Sequence, residues 1–330
     1  MVHCALCISD KSGSYFIYLH TLVVSILSNA TKPLHFHIIA DETIRAEQRR
    51  TLEDLAGARG GRVVFYPPPS IPADVAAKIP PRFGVGSMYR LFLHEIVPCD
   101  KLIYLDCDIV VNMDLAELYA IDIESRHMAA VEEPNLTRKD IAQGLQSFPK
   151  IPDKYFNSGV LLMNIKKIRE LCKDTNILLS TFVEKYDTLA YKDQDVLNGL
   201  MAAMDDGVLF IDEKYNYIIN TTGRMLESLS ELRGKILHYT WTKPLDFFYP
   251  ATLPFWKYHP WAGSVEELFE KLEGIPPRKE LLTCQTALYT RKRTAKFRRY
   301  YDLLAYGLLG FIKRRLFPKK YKDLAPKKNF

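Results

Sequence analysis

The stretch Lys101-Leu102-Ile103-Tyr104-Leu105-Asp106-Cys107-Asp108 reads as a strand that ends on two aspartates one residue apart. The apolar run Leu102 to Leu105 is too short for a core helix and fits a buried strand. In extended backbone, residues i and i+2 point the same way, so the carboxylates of Asp106 and Asp108 can converge on one point. Two convergent carboxylates make a hard-oxygen site suited to Mg²⁺ or Mn²⁺, the ions that hold diphosphates. Strand ends in α/β sheets are also where such folds seat their ligands. A turn in which Asp108 only solvates the strand end is the structural alternative.

Working outward, strands and helices alternate. Strands are expected at 3–9, 34–40, 62–66, 128–131 and 160–163, and helices at 15–27, 41–55, 87–97 and 165–179. That alternation predicts an α/β domain on a parallel sheet. The Pro-rich segment 67–81 reads as a long loop, and 274–277 as a linker. The expected division is a catalytic domain over 1–265, a linker or short helix over 266–290, and a basic amphipathic extension over 291–330.

A chain of 330 residues with 48% hydrophobic and 25% charged residues is ordinary for a globular protein. The first thirty residues lack the pattern of a secretory leader, and no run is long and apolar enough to span a bilayer. The six cysteines (Cys4, Cys7, Cys99, Cys107, Cys172 and Cys284) are scattered through mostly apolar runs, as expected of reduced, buried thiols in a cytosolic protein. Cys4 and Cys7 have zinc-ligand spacing, but no second Cys/His pair completes such a site. The net charge of +6 is unevenly spread: residues 291–330 hold 14 Lys/Arg against 2 Asp/Glu, which leaves the remaining body acidic. An acidic body argues against a nucleic-acid reader and for a localised anionic partner of the tail.

Further stretches carry chemistry-bearing residues in order: Ile8-Ser9-Asp10 after the first strand, Tyr89-Arg90-Leu91, Phe156-Asn157-Ser158-Gly159, Tyr191-Lys192-Asp193-Gln194-Asp195, and His238-Tyr239-Thr240-Trp241-Thr242-Lys243-Pro244. Each has a plain structural reading: His238 at a strand end, Asp193 and Asp195 in the first turn of a helix, Asn157 closing a turn, Arg90 in an ion pair. Together with Asp106-Cys107-Asp108, in this order and spacing, they resemble the retaining glycosyltransferases of family 8 over roughly residues 3 to 250. That family includes bacterial lipopolysaccharide galactosyl- and glucosyltransferases.

The resemblance implies a Rossmann-like, nucleotide-sugar-binding domain of the GT-A type, followed here by the helical basic extension. It implies Asp106, Asp108 and His238 as ligands of a divalent metal, Mn²⁺ or Mg²⁺. Lys243 matches a basic residue near the donor phosphates, Arg90 a donor-side arginine, and Ile8 and Asp10 positions that hold uracil and ribose. Asn157, Asp193 and Gln194 would surround the donor sugar, with Glu133 at a position usually filled by Asp. Two features depart from the pattern. Trp241 stands where glycine is frequent, and the loop Lys11 to Ser14 is slightly longer.

The expected function is transfer of a hexose, galactose or glucose, from a UDP-sugar to a saccharide acceptor, with lipopolysaccharide core or another surface glycan favoured. Two retaining routes stay open. Asp193 or Gln194 attacks the anomeric carbon, or the acceptor hydroxyl attacks from the leaving-group face. Phe297, Tyr300, Tyr301, Leu304, Leu308, Phe311 and Ile312 form an apolar stripe among basic flanks, fit for the anionic inner face of a membrane, with a docked C-terminal helix as the alternative. A lipid-linked acceptor and no nucleic acid are the expected partners. A self-glucosylating, glycogenin-like primer, a sugar-nucleotidyltransferase and an inactive membrane-associated scaffold are the competing readings.

Overall fold

A computed structural model describes residues 1–71, 73, 76, 79, 84–174, 176–205, 207–240, 243–245 and 250–259. The expected linker and basic extension, the boundary at 265, Trp241 and much of the Pro-rich segment lie outside the described residues. Met1–Tyr217 with Gly234–His238 form one compact unit; Ile218–Arg233 and the chain from Tyr239 belong to another.

The first unit is built on a seven-stranded sheet in the order β3-β2-β1-β4-β7-β6-β8. These strands are β1 (Val2–Ile8), β2 (Leu34–Ala40), β3 (Arg62–Tyr66), β4 (Lys101–Leu105), β6 (Met128–Glu132), β7 (Phe156–Asn164) and β8 (Val208–Phe210). The short strands β5 (Ile109–Val111), β9 (Tyr217–Ile218) and β10 (Ile236–His238) make a second sheet, ordered β5-β10-β9. β2 is buried along its whole length and β1 nearly so, which is why both read as continuous apolar runs. Helices α1 (Phe16–Asn29) and α2 (Ala46–Gly57) follow β1 and β2. α1 takes no side-chain cap from its N-cap residue, Tyr15. Instead Asp10 Oδ2 accepts from Phe16 N–H (2.8 Å) and Oδ1 from Ser14 N–H (3.1 Å), satisfying donors that the helix start leaves open.

The sheet is not all parallel. β1 pairs in parallel with β2 and β4, whereas β7 runs antiparallel to both β4 and β6. The alternation of strands and helices assumed a crossover before every strand. The segment between β6 and β7, with its short helix Arg138–Gly144, instead turns the chain back beside its own strand. This reversal has a functional effect. It brings the start of β7, at Asn157 and Gly159, to the carboxyl end of β4; a parallel β7 would have put Asn164 there. The region expected as one helix over 165–179 is split into Ile165–Leu171 and Ile177–Lys185, each capped by an asparagine side chain, Asn164 and Asn176. The segment around Arg90 is a 3₁₀ helix, Val85–Phe92, leading into Leu93–Ile96. Gly86 lets it approach β1: a Cβ there would lie 3.0 Å from Ser9 N.

At the opposite end of the strands, His3, His35 and His37 share one face. Burial, reinforced by the Arg62 cation, pushes His35 down to about 4; burial and the neighbouring His35 and His3 push His37 to about 3. In the second unit the Tyr239 hydroxyl donates to Ala251 O (2.7 Å), and Phe255, Trp256 and His259 pack ring against ring. No helix of the described residues is long and apolar enough to cross a membrane.

Candidate active site

The chain leaves β4 at Asp106, whose N–H donates to Gly159 O on β7 (2.8 Å), and re-forms as β5 three residues later. α1 holds β5 from one side. Val111 N–H donates to Ser25 Oγ (3.0 Å), and Asn29 Nδ2 donates to Val111 O (2.9 Å). β10 holds it from the other, pairing Ile109 with His238. The imidazole, 130 positions downstream of Asp108, is thereby set beside the aspartates. Asp106, Asp108 and His238 each offer an atom within 4.8 Å of the others. His238 Nε2 lies 3.4 Å from Asp108 Oδ1 and 3.9 Å from Asp106 Oδ2.

Neighbours orient Asp106 and His238. Asp106 Oδ1 accepts from Tyr104 Oη (2.6 Å) and pairs with Arg90 Nη2 (2.9 Å), which turns Oδ2 toward His238. The imidazole is oriented by a relay that starts at a backbone amide. Gly159 N–H donates to Asn157 Oδ1 (2.9 Å), which fixes that atom as oxygen; Asn157 Nδ2 then donates to Glu133 Oε2 (2.8 Å). Asn216 Nδ2 also donates to Asn157 Oδ1 (2.9 Å), so Asn216 Oδ1 is left to accept from His238 Nδ1–H (2.9 Å). The network therefore makes Nδ1 the donor and turns Nε2, which carries the lone pair in neutral imidazole, to the side facing both carboxylates. Three electron-rich atoms facing one another are unfavourable by themselves and suited to a shared cation. A metal-bound histidine almost always donates its other N–H in this way. The residues fit a divalent ion.

Asn216 is thus a positioning residue. If the cluster holds Mn²⁺, Asn216→Ala is expected to raise the Mn²⁺ concentration needed for half-maximal activity by about 10- to 100-fold, the usual cost of losing such a partner. Asn216→Asp, which still accepts from Nδ1–H, should raise it less. Activity titrated with Mn²⁺ distinguishes the two variants, and equal behaviour would remove the relay from the account.

Arg90 is buried and committed on all sides. Besides Asp106 it pairs through Nε with Asp193 Oδ2 (3.1 Å) and donates from Nη1 to Ser158 O (2.7 Å). Its guanidinium lies 4.7 Å from the Tyr104 ring centroid. The Asp193 contact is an ion pair without hydrogen-bond geometry. Burial pushes the Asp193 carboxyl up to about 6; Arg90 opposes this, and Asp106 competes for the same cation. Because the folded pKa is raised, this group's favourable contribution is full below the ordinary value of 3.8 and is lost as pH rises toward about 6. Asp193→Asn is therefore expected to stabilise the protein at pH 7, by up to about 3 kcal/mol. The gain over wild type should shrink as pH falls from about 6 to 4; melting curves across that range check it.

Gln194 sits beside Asp193, its Oε1 accepting from Ser158 N–H (2.8 Å). Asp195 accepts from Tyr155 Oη (2.6 Å) and Tyr191 N–H (2.7 Å), and shapes the entry of the helix Asp193–Ala202. Lys192, just before it, has φ 53°. A non-glycine residue in that region stores about 1–3 kcal/mol of strain, which clusters at functional sites. Ile8 is buried in β1, so its side chain presents nothing to a base. Asp10 turns both carboxylate oxygens to its own loop and α1, apart from the Asp106 network. Lys243 belongs to the other unit.

A family model described as Glycosyl transferase family 8 matches residues 3–244. The chain belongs to that family. A lipopolysaccharide 1,2-glucosyltransferase of Escherichia coli K12 is 29% identical over 280 residues, covering 82% of this chain and 79% of that protein. A Haemophilus influenzae protein provisionally named a glycosyltransferase is 30% identical over 211 residues, and the match spans only 60% of its length. The galactosyltransferase LgtC, solved with donor and acceptor sugar analogs, superposes with TM-score 0.60 at 22% identity, covering 84% of this chain and 98% of its own. GlyE of Streptococcus pneumoniae TIGR4 superposes at 0.57 and 21% identity, over 84% and 66%. Those likenesses establish the GT-A fold expected from the sequence.

For this family 8 glycosyltransferase the structure brings Asp106, Asp108, His238, Arg90, Asn157, Glu133, Asp193 and Gln194 into one connected cluster. Sequence reasoning missed Asn216, Tyr104 and Gly159. Asn216 and Tyr104 act through a partner's orientation, which leaves no spacing signal. Gly159 was quoted within its motif, yet its role is spatial: a Cβ there would fall 2.2 Å from His238 Cε1.

Proposed function

We propose that this enzyme transfers galactose or glucose from a UDP-sugar to a saccharide acceptor with retention at the anomeric carbon, using Mn²⁺ or Mg²⁺ held by Asp106, Asp108 and His238. The supporting observation is the convergence of those three groups, with Nε2 of His238 facing both carboxylates. When bound, the ion supplies Lewis-acid neutralisation of the leaving diphosphate.

The remaining work falls to the chain's own residues. Gln194 Oε1 is turned to the Ser158 amide, a poor arrangement for an attacking atom. Asp193 faces Arg90. Both features favour the route in which the acceptor hydroxyl attacks from the leaving-group face. The bond from the anomeric carbon to the phosphate oxygen breaks, the new glycosidic bond forms, and the hydroxyl proton passes to the departing phosphate. Asp193, Gln194 and Asn157 hold the donor sugar and acceptor in position. Lys243 adds positive charge for the leaving UDP, and Ile8 and Asp10 border the nucleotide, Ile8 through its backbone.

The acceptor class is lipopolysaccharide core or another surface glycan, in line with the names of the E. coli relatives. Work on a lipid-linked acceptor suits an enzyme held at the cytoplasmic membrane face by residues 291–330. Sedimentation with anionic vesicles that is lost in high salt is the expected sign of that tail.

The deciding experiment is UDP release from a panel of UDP-sugars with Mn²⁺, Mg²⁺ or EDTA. Slow hydrolysis of one UDP-hexose, stopped by EDTA, is expected. Failure to turn over any UDP-sugar under every condition would sink the reading.

A further inference from the structure

We propose that His3, His37 and Cys99 form a second metal site, for a thiophilic transition-metal ion, at the end of the sheet opposite Asp106. Three chain segments meet there. His3 is the second residue of β1, where it pairs with His35 of β2; His37 lies two residues further along β2 on the same face; Cys99 stands two residues before β4. His3 Nδ1 and His37 Nε2 are 2.9 Å apart, and one ring nitrogen of each histidine lies with Cys99 Sγ in a group whose atoms are all within 4.8 Å of one another. Tetrahedral bonds of about 2.0–2.3 Å place donors roughly 3.4–3.6 Å apart, so small rotations close this set around an ion.

The surroundings support that use. The other ring nitrogen of His37 meets Tyr66 Oη at 3.0 Å, the outer hydrogen bond that a metal-bound imidazole requires. His37 stacks on His3, with centroids 5.2 Å apart and planes at 16°, and the His35 ring lies 4.0 Å from it. The whole group is a preformed layer of rings. His3 and Cys99 are half-buried, which leaves a path from solvent. Imidazole and thiolate donors without a carboxylate select Zn²⁺ or Cu(I) over the hard ions expected at Asp106 and Asp108. Arg62, bonded to His35 through Nε (3.0 Å), the terminal amine near His3 and Arg169 near Cys99 are cations that oppose a bound ion, so the thiolate charge has to offset them. From His3 to the active-site end of β1 is five residues, about 17 Å at roughly 3.3 Å each. The site is therefore separate from the catalytic cluster and takes no part in the transfer proposed above. Cys4 and Cys7, the pair whose spacing suggested zinc, supply none of its ligands.

Co²⁺ serves as the spectroscopic probe for the zinc arm, and Cu(I) retention against a chelator for the other, both on the full chain. The expected result is a thiolate-to-cobalt charge-transfer band saturating at one equivalent, displaced by Zn²⁺, or one retained Cu(I). Either signal should persist in Asp108→Asn, vanish in Cys99→Ser, and weaken by more than about 100-fold in His3→Gln, beyond what outer-shell changes cost. UDP release by Cys99→Ser and His3→Gln should match wild type, which establishes that both variants fold. If Cys99→Ser does not fold, the half-buried strand position His3 decides alone. No band together with no retained Cu(I) in wild type, or signals that survive His3→Gln, would overturn the proposal.

Discussion

Asp108→Asn is expected to lower UDP release by about 1,000-fold, the scale of several kcal/mol of lost charge stabilisation. The substitution keeps the shape and removes one of two convergent charges. The new amide lies where Asp108 Oδ1 stood, 3.4 Å from His238 Nε2, and can donate to the lone pair that the relay through Asn216 points at it. The space for a cation is then closed by a hydrogen bond. Replacing mutual repulsion with attraction should also raise the melting temperature in EDTA, by about 2–4 °C for each kcal/mol gained in a domain of this size. Lower activity with higher stability is the diagnostic pair. A near-normal rate for this variant would remove the aspartates from the reaction.

Gly159→Ala is expected to cost at least about 100-fold in rate, through displacement of His238. The added methyl would sit 2.2 Å from Cε1 and 2.8 Å from Nδ1 of the imidazole. Neither side can yield easily. Gly159 is pinned to Asp106 N–H in the middle of the sheet, and His238 is tied to Asn216 in a buried position. Overpacking of this kind costs about 1–3 kcal/mol, so the protein should stay folded while its Mn²⁺ requirement rises. Gly199→Ala is the control: its methyl would meet the Phe148 ring at 2.3 Å, a similar clash that leaves His238 alone. Equal losses of rate in the two variants would mean that general loosening, not the imidazole, is responsible.

The Asp pair was legible as two carboxylates at the end of an apolar strand, but the extended backbone assumed for them is not what brings them together: β4 ends at Leu105, and Asp106 to Asp108 form the break before β5. His238 was not legible from its own surroundings; only the family resemblance separated it from an ordinary strand-end histidine. The direction of β7 was hidden for a different reason. An apolar strand buried on both faces reads alike in either sense, and only its pairing with β4 and β6 reveals it. Arg90 was expected as a donor-side residue, and its partners include Asp106, Asp193, Ser87 and Ser158, contacts that align the cluster. Hydrogen bonds across long separations, such as Asn157 to Asn216, leave no trace in local pattern.

β10 is three residues long and joins β5 through three residue pairs. The strand is buried and lies between β5 and β9, so its place depends on this small three-stranded sheet and not on the seven-stranded one. Its detachment carries the imidazole away while the seven-stranded sheet stays intact. Any ion that bridges His238 to the aspartates must therefore act as a latch on this strand. Amide deuterium uptake at Ile236 to His238 should be fast in EDTA and slow in Mn²⁺, with β1 and β4 unchanged. Ion capture and the seating of one short strand are then coupled, and the ion ties the three-stranded sheet to the end of β4.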